Sequence, residues 1–243
     1  MASKIDSWNS VSPVAHEEVL VAPYSHQVFS DLEGPRSQHL RYKKVADMSP
    51  LRSVFHKYNM QNECGLALLH RHYSIAKGEI LVEKITSACS TTAPMKLVDA
   101  PNIVPHLWKF YDGLWCPFEF LDISGDHEKM ATAVSFSEKA STNVPFLLEL
   151  GKILVTMGLQ NLFGLQTNHR DIFLRLNPTD TLLETTDVPT KVSSIIRIPI
   201  DQKQPEYWTD TFFSFNCNNE KECPHHHACG YTACAYGCCD DTC

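Results

Sequence analysis

Several signatures that would assign this 243-residue chain to a class are missing. No run approaches the ~18 apolar residues of a membrane-spanning helix. The opening "MASKIDSWNSVSPVAHEE" has no basic segment followed by an apolar one, the pattern of a secretory signal, so the cytosol or nucleus is the expected compartment. Positive charge is scarce as well: 21 Lys and Arg stand against 28 Asp and Glu, a net charge of -7, and no Lys/Arg-rich run compensates locally. Neither nucleic acid nor a membrane is therefore expected as a partner, while a protein partner stays open. The one Asn-x-Thr triplet, Asn177-Pro178-Thr179, carries the proline that blocks glycosylation, in keeping with the same compartment. Glycine-rich phosphate loops, internal repeats and regular βαβ alternation are absent too, which removes nucleotide-binding and solenoid classes.

What is present is an ordinary globular composition, 43% hydrophobic and 20% charged, enough to bury the core of one or two domains. "SPLRSVFHKY" offers Ser49 as N-cap, Pro50 at the first helical position and Leu51, Val54, Phe55 and Tyr58 on one stripe, which predicts a short amphipathic helix. A longer helix is predicted in "NVPFLLELGKILVTMG", where Phe146, Leu147, Leu150, Ile153, Leu154 and Met157 share a face between Asn143 and the stop residue Gly158. Asp112-Gly113 separates two aromatic-rich runs, the chemistry of a two-residue type I′ hairpin turn. "ILVEKIT" and "SSIIRIPI" read as strands, the second at a sheet edge because of Pro199. The expected architecture is α+β: a mostly antiparallel sheet with a few packed helices over residues 16 to 216, a flexible stretch 1 to 15, and a Cys/His-rich appendage over 217 to 243.

That appendage holds Cys217, Cys223, Cys229, Cys234, Cys238, Cys239 and Cys243, with His225, His226 and His227 in the second gap. Thiolates and imidazoles are the donors zinc and Cu(I) prefer, and a reducing cytosol keeps thiols available, so the density favours a bound metal, zinc before copper. The spacing lacks a C-x2-C knuckle, which leaves three disulfides with one cysteine over, or an unstructured tail, as competing readings. A site filled wholly by protein ligands is closed, so it speaks for docking or regulation rather than catalysis.

A second cluster lies in "GLALLHRHYSIAKGEILVEKI". His70 and His72, two apart on an expected strand, project from one face, as in the His-x-His half of a two-histidine, one-carboxylate iron site. Glu79 and Glu83 are the carboxylates in reach of a hairpin. A loop of Ala76-Lys77 would set both histidines beside Glu83 and Glu79, whereas a loop of Ala76-Lys77-Gly78 would bring Lys84 and Val82 opposite them, and turn chemistry prefers the latter because Gly78 suits a left-handed position. Unliganded strand histidines are the plainer reading. This cluster would define a non-haem metal enzyme; a structural interaction protein with a stapled or disordered tail is the third class.

Two weaker patterns remain. His169-Arg170-Asp171 has the letters of a kinase catalytic loop, but Asn177 falls one position too far and the Gly-rich loop, paired Lys and D-F-G are missing, so local polar contacts are expected. Cys64 and His70 are close enough in sequence to suggest a nucleophile and base, although a buried structural cysteine is commoner. The segment "GLALLHRHYSIAKGEILVE" and the Cys/His-rich end together resemble segments of proteins from filamentous fungi. The resemblance covers the middle strands and the tail, and implies a lineage without an activity.

Overall fold

The computed structural model describes residues 21–86, 89–100, 102–174, 180–199, 208–215 and 229–235. Two kinds of element are built by the local patterns. Asp112 and Gly113 both take positive φ (50° and 79°) and join β4 (Ile103–Tyr111) to β5 (Leu114–Asp122), as a type I′ turn requires. The long helix α5 (Val144–Thr156) starts where the Asn143 side chain accepts from the Phe146 amide and stops before Gly158, at φ 68°. The short helix α3 (Ser49–Lys57) begins one residue earlier than expected: Met48 occupies the cap, and Ser49 and Pro50 are the first two helical residues.

Among the described residues ten strands form a closed barrel. With β1 (Cys64–Leu68), β2 (Glu79–Ile85), β3 (Cys89–Lys96), β6 (Phe163–Thr167), β7 (Asp180–Asp187), β8 (Val192–Pro199), β9 (Trp208–Ser214) and β10 (Cys229–Ala235), the order is β1-β6-β4-β5-β2-β3-β8-β7-β10-β9. Pairing is antiparallel except between β2 and β5 and between β7 and β10, so the α+β class with a mostly antiparallel sheet holds. Two sequence expectations change. The stretch 229–235, assigned to an appendage, supplies the strand that sits between β7 and β9 and completes the ring. Nor does Pro199 mark an edge: β8 lies between β3 and β7, and its pairing with β3 ends at Ile196, so the proline falls beyond that ladder, opposite Asp180.

Among the described residues the remaining helices are α1 (His26–Ser30), α2 (Pro35–Tyr42), α4 (His127–Thr142) and α6 (His169–Leu174). Helices α3 and α5 cover the outer face of part of the barrel. Leu51, Val54, Phe55, Phe146, Leu147, Leu150 and Leu154 pack there on Leu66, Leu68, Trp108, Trp115, Phe163, Leu165 and Phe213, and the Trp115 indole donates to the Leu147 carbonyl. The strand alternation then turns Ala67, Leu81, Leu107 and Phe118 into a separate cluster with Phe29 of α1. That second cluster forms one wall of an internal cavity of ≈ 50 Å³.

Candidate metal centre

Strand β1 ends at Leu68; beyond it the Leu69 amide donates to Leu162 O and the Arg71 amide to Glu33 O. His70 and His72 are therefore past the strand, not on it. Among the described strands β1 pairs with β6 and β9 and β2 with β3 and β5, so the hairpin that would have set Glu79 or Glu83 beside the histidines does not form. Gly78 does take the left-handed conformation (φ 87°), in a turn closed by the Glu79 amide on Ala76 O. The Glu79 carboxylate accepts from the Ala76 amide at 2.7 Å and is spent on that turn.

The carboxylate that meets the histidines comes from 112 residues downstream, Glu184 on β7. His70 Nε2 lies 3.1 Å from His72 Nε2, His72 Nε2 lies 3.2 Å from Glu184 Oε1, and His70 Nε2 lies 3.8 Å from Glu184 Oε2. Donor atoms bound at ~2.1 Å to one ion and separated by ~90–109° stand ~3.0–3.4 Å apart. Two of the three separations fall in that range and the third closes with a small shift of Glu184. The three side chains retain only 9%, 5% and 13% exposure and line the cavity.

Proton positions favour the same reading. His70 Nδ1 is 2.8 Å from the Leu68 carbonyl, which can only accept, so Nδ1 carries the proton. Burial, reinforced by His72, lowers the His70 pKa, and the neutral ring turns the bare Nε2 lone pair toward His72 and Glu184. This is the tautomer and the backbone anchor of a metal-binding histidine. For Glu184, burial would raise the pKa, but the hydrogen bond from His72 and the nearby His70 and Arg170 outweigh it and hold the carboxyl at about 2. Two electron-pair donors, His70 Nε2 and the Glu184 carboxylate, thus converge with His72 Nε2, whose proton an ion bound there would displace.

A second histidine–carboxylate group provides the comparison. Glu83, fully buried on β2, is met by His169 Nε2 at 2.9 Å, by His106 Nε2 at 3.1 Å and by the Ser90 hydroxyl, which donates to it. His106 is the extra residue of a β-bulge between Pro105 and Leu107, the distortion that aims it at Glu83. Here the cation is already supplied: Arg170 Nε and Nη2 donate to Glu83 at 2.7 and 3.2 Å. Burial opposes ionisation of Glu83, yet Arg170, His169 and His106 together hold its pKa well below the usual range, while burial keeps His106 neutral. Of two similar donor sets, one has an arginine in the cation's place and the other does not.

The sequence patterns sort accordingly. His70 and His72 lie together past the end of β1 rather than on a strand face, and Glu184, His106, His169 and Arg170 join the picture from outside the expected set. His169-Arg170-Asp171, discounted as a kinase loop, opens α6 and supplies two partners of Glu83. Cys64 is fully buried, its thiol donates to Met60 O, and burial together with Glu63 raises its pKa well above the ordinary value, which removes it as a nucleophile. Of the tail, Cys229 and Cys234 lie on β10; Cys217, Cys223, His225, His226, His227, Cys238, Cys239 and Cys243 lie outside the described residues. None of the described helices is long and apolar enough to cross a membrane. No protein-family model matches the chain, and neither does any curated protein or solved structure.

Proposed function

We propose that the protein is a mononuclear non-haem metal enzyme in which His70, His72 and Glu184 hold a divalent first-row ion, iron(II) before zinc. The observation that carries this reading is the convergence of two imidazole nitrogens and a carboxylate, 3.1 to 3.8 Å apart, on the wall of a cavity. Two histidines and one carboxylate leave coordination positions free for water and substrate, the arrangement of non-haem iron sites, and zinc enzymes use the same donors with a tetrahedral geometry. A cavity of ≈ 50 Å³ has room beside the ion for about three to five water-sized groups, at ~10–15 Å³ each. Bound metal would supply Lewis acidity to whatever enters; the chain's own residues orient it and exclude bulk water.

The test is metal content by elemental mass spectrometry on full-length protein purified anaerobically, for the native sequence, His70→Ala/His72→Ala and Glu184→Gln, with circular dichroism to verify folding. Near-stoichiometric metal in the native protein and its loss from both variants is the expected outcome. Metal retained at full occupancy in the double variant would sink the reading and move attention to the zinc or copper site expected in the tail cysteines and histidines, with its docking or regulatory role.

A further inference from the structure

Two cations line the same cavity: Arg71, whose Nη1 donates to the Ser74 hydroxyl at 3.3 Å, and Arg170, which is anchored to a buried carboxylate. The second is the one fixed in place. Its side chain is 11% exposed, with Nε and Nη2 committed to Glu83. Among the described residues Nη1 has no hydrogen-bond partner; Glu119 and Glu184 act on the guanidinium through space without pairing to it. Glu83 is itself held by Ser90 and His169, so the guanidinium plane is set before any ligand arrives. A planar fork with one edge anchored and one nitrogen left over is an oxyanion receptor.

We propose that the cavity takes a short-chain carboxylate, with one carboxylate oxygen in an open position of the ion at His70, His72 and Glu184 and the other on Nη1 of Arg170. The proposal rests on the metal-centre reading above. Charge supports it: a divalent ion, Arg170 and the half-buried Arg71 face two ionised carboxylates, Glu83 and Glu184, which leaves net positive charge for an anion to neutralise. Glu119, also on the cavity wall, has its pKa pushed up to about 8 in the metal-free protein, by burial first and then by Glu83 and Glu184 against the opposing Arg170. Phe29, Leu81, Leu107, Phe118 and Ile195 offer apolar wall to a hydrocarbon tail, and the ≈ 50 Å³ volume limits that tail to a few carbons.

The experiment uses full-length protein loaded with Co(II), whose visible absorption reports its coordination, titrated with acetate and with its neutral isostere acetamide. Acetate is expected to give a saturable spectral change, with acetamide at least about tenfold weaker. Arg170→Lys, and the pair Glu83→Gln/Arg170→Gln that removes both charges together, are expected to bind Co(II) as the native protein does and acetate about tenfold more weakly. Equal binding of acetate and acetamide by the native protein, a comparison that needs no variant, overturns the proposal; so does undiminished acetate affinity in Arg170→Lys. Failure of the metal-centre reading looks different: the native protein shows no Co(II) spectrum before acetate is added, or His70→Ala/His72→Ala shows an unchanged one.

Discussion

Replacing Glu83 by Leu should be among the most damaging single substitutions in this protein. Glu83 is 0% exposed and is held by two Arg170 donors, His169 and Ser90. Removing one member of a buried ion pair costs about 3–5 kcal/mol, chiefly because the other charge is stranded. Arg170 borders the cavity and keeps 11% exposure, so water can partly rescue it, which argues for the lower end. The buried His169 Nε2 loses its acceptor as well, about 1–3 kcal/mol more if nothing replaces it. A net loss of about 4 kcal/mol lowers the melting temperature of a chain this size by about 8–16 °C, read by circular dichroism or calorimetry. Glu83→Leu/Arg170→Leu strands no charge and should recover a good part of that loss. The effect also has a pH signature. The folded pKa of Glu83 lies below its unfolded value, so the stabilisation is complete above the unfolded carboxylate pKa of ~4.3 and fades as pH falls through the lower folded value. The gap between native and Glu83→Leu should therefore narrow in acid. A single-variant loss under about 1 kcal/mol, or a double variant no more stable than the single, would refute the reasoning.

Two further outcomes follow from backbone placement. A Cβ at Gly164 would stand 2.5 Å from the Trp108 carbonyl oxygen and 2.7 Å from Leu69 Cδ2; the backbone atom cannot yield, so Gly164→Ala should cost about 1–3 kcal/mol, and an unchanged thermal midpoint would contradict the packing described. A chain ending at Asn216 loses β10 and leaves β7 and β9 with open edges. It should self-associate in size-exclusion chromatography with light scattering and lose metal along with the barrel's shape, whereas a monomer with the native melting temperature would show that β10 is dispensable.

Local elements were legible in the sequence and long-range ones were not. The Asp112-Gly113 turn, the Asn143 cap with its Gly158 stop, and the stripe of α3 are each set by residues within one or two turns of each other; the first two form where the pattern put them, and α3 starts one residue early with Tyr58 at its C-cap. Barrel closure depends on which distant strands meet, and nothing in "CGYTACA" distinguishes a ring-closing strand from a tail. The candidate site shows the same division. His-x-His is a local signal and was read; its carboxylate was sought within a hairpin because the alternation from 64 to 72 looked continuous, whereas the strand ends at Leu68. Two cues to the long-range partners were present: Glu83 after Val82 in "ILVEKI" and Glu184 after Leu183 in "TLLETTD" are carboxylates in strand interiors behind an apolar run, positions that call for a buried cation.

The parallel pairing of β7 with β10 also bears on how the molecule assembles. Glu184 stands opposite Cys234, so the strand bearing the carboxylate is flanked on one side by a hairpin partner, β8, and on the other by the described strand latest in the chain. Contacts between β1 and β9 and between β7 and β10 span large sequence separations, which makes ring closure a slow step relative to formation of the β4–β5 and β7–β8 hairpins. Until β10 docks, β7 is held on its β8 side alone and the ring that sets the distance between Glu184 and the two histidines is open. On the metal-centre reading proposed above, ion uptake during folding should therefore be gated by the arrival of β10, and an ion held by His70, His72 and Glu184 would in turn slow the barrel's reopening.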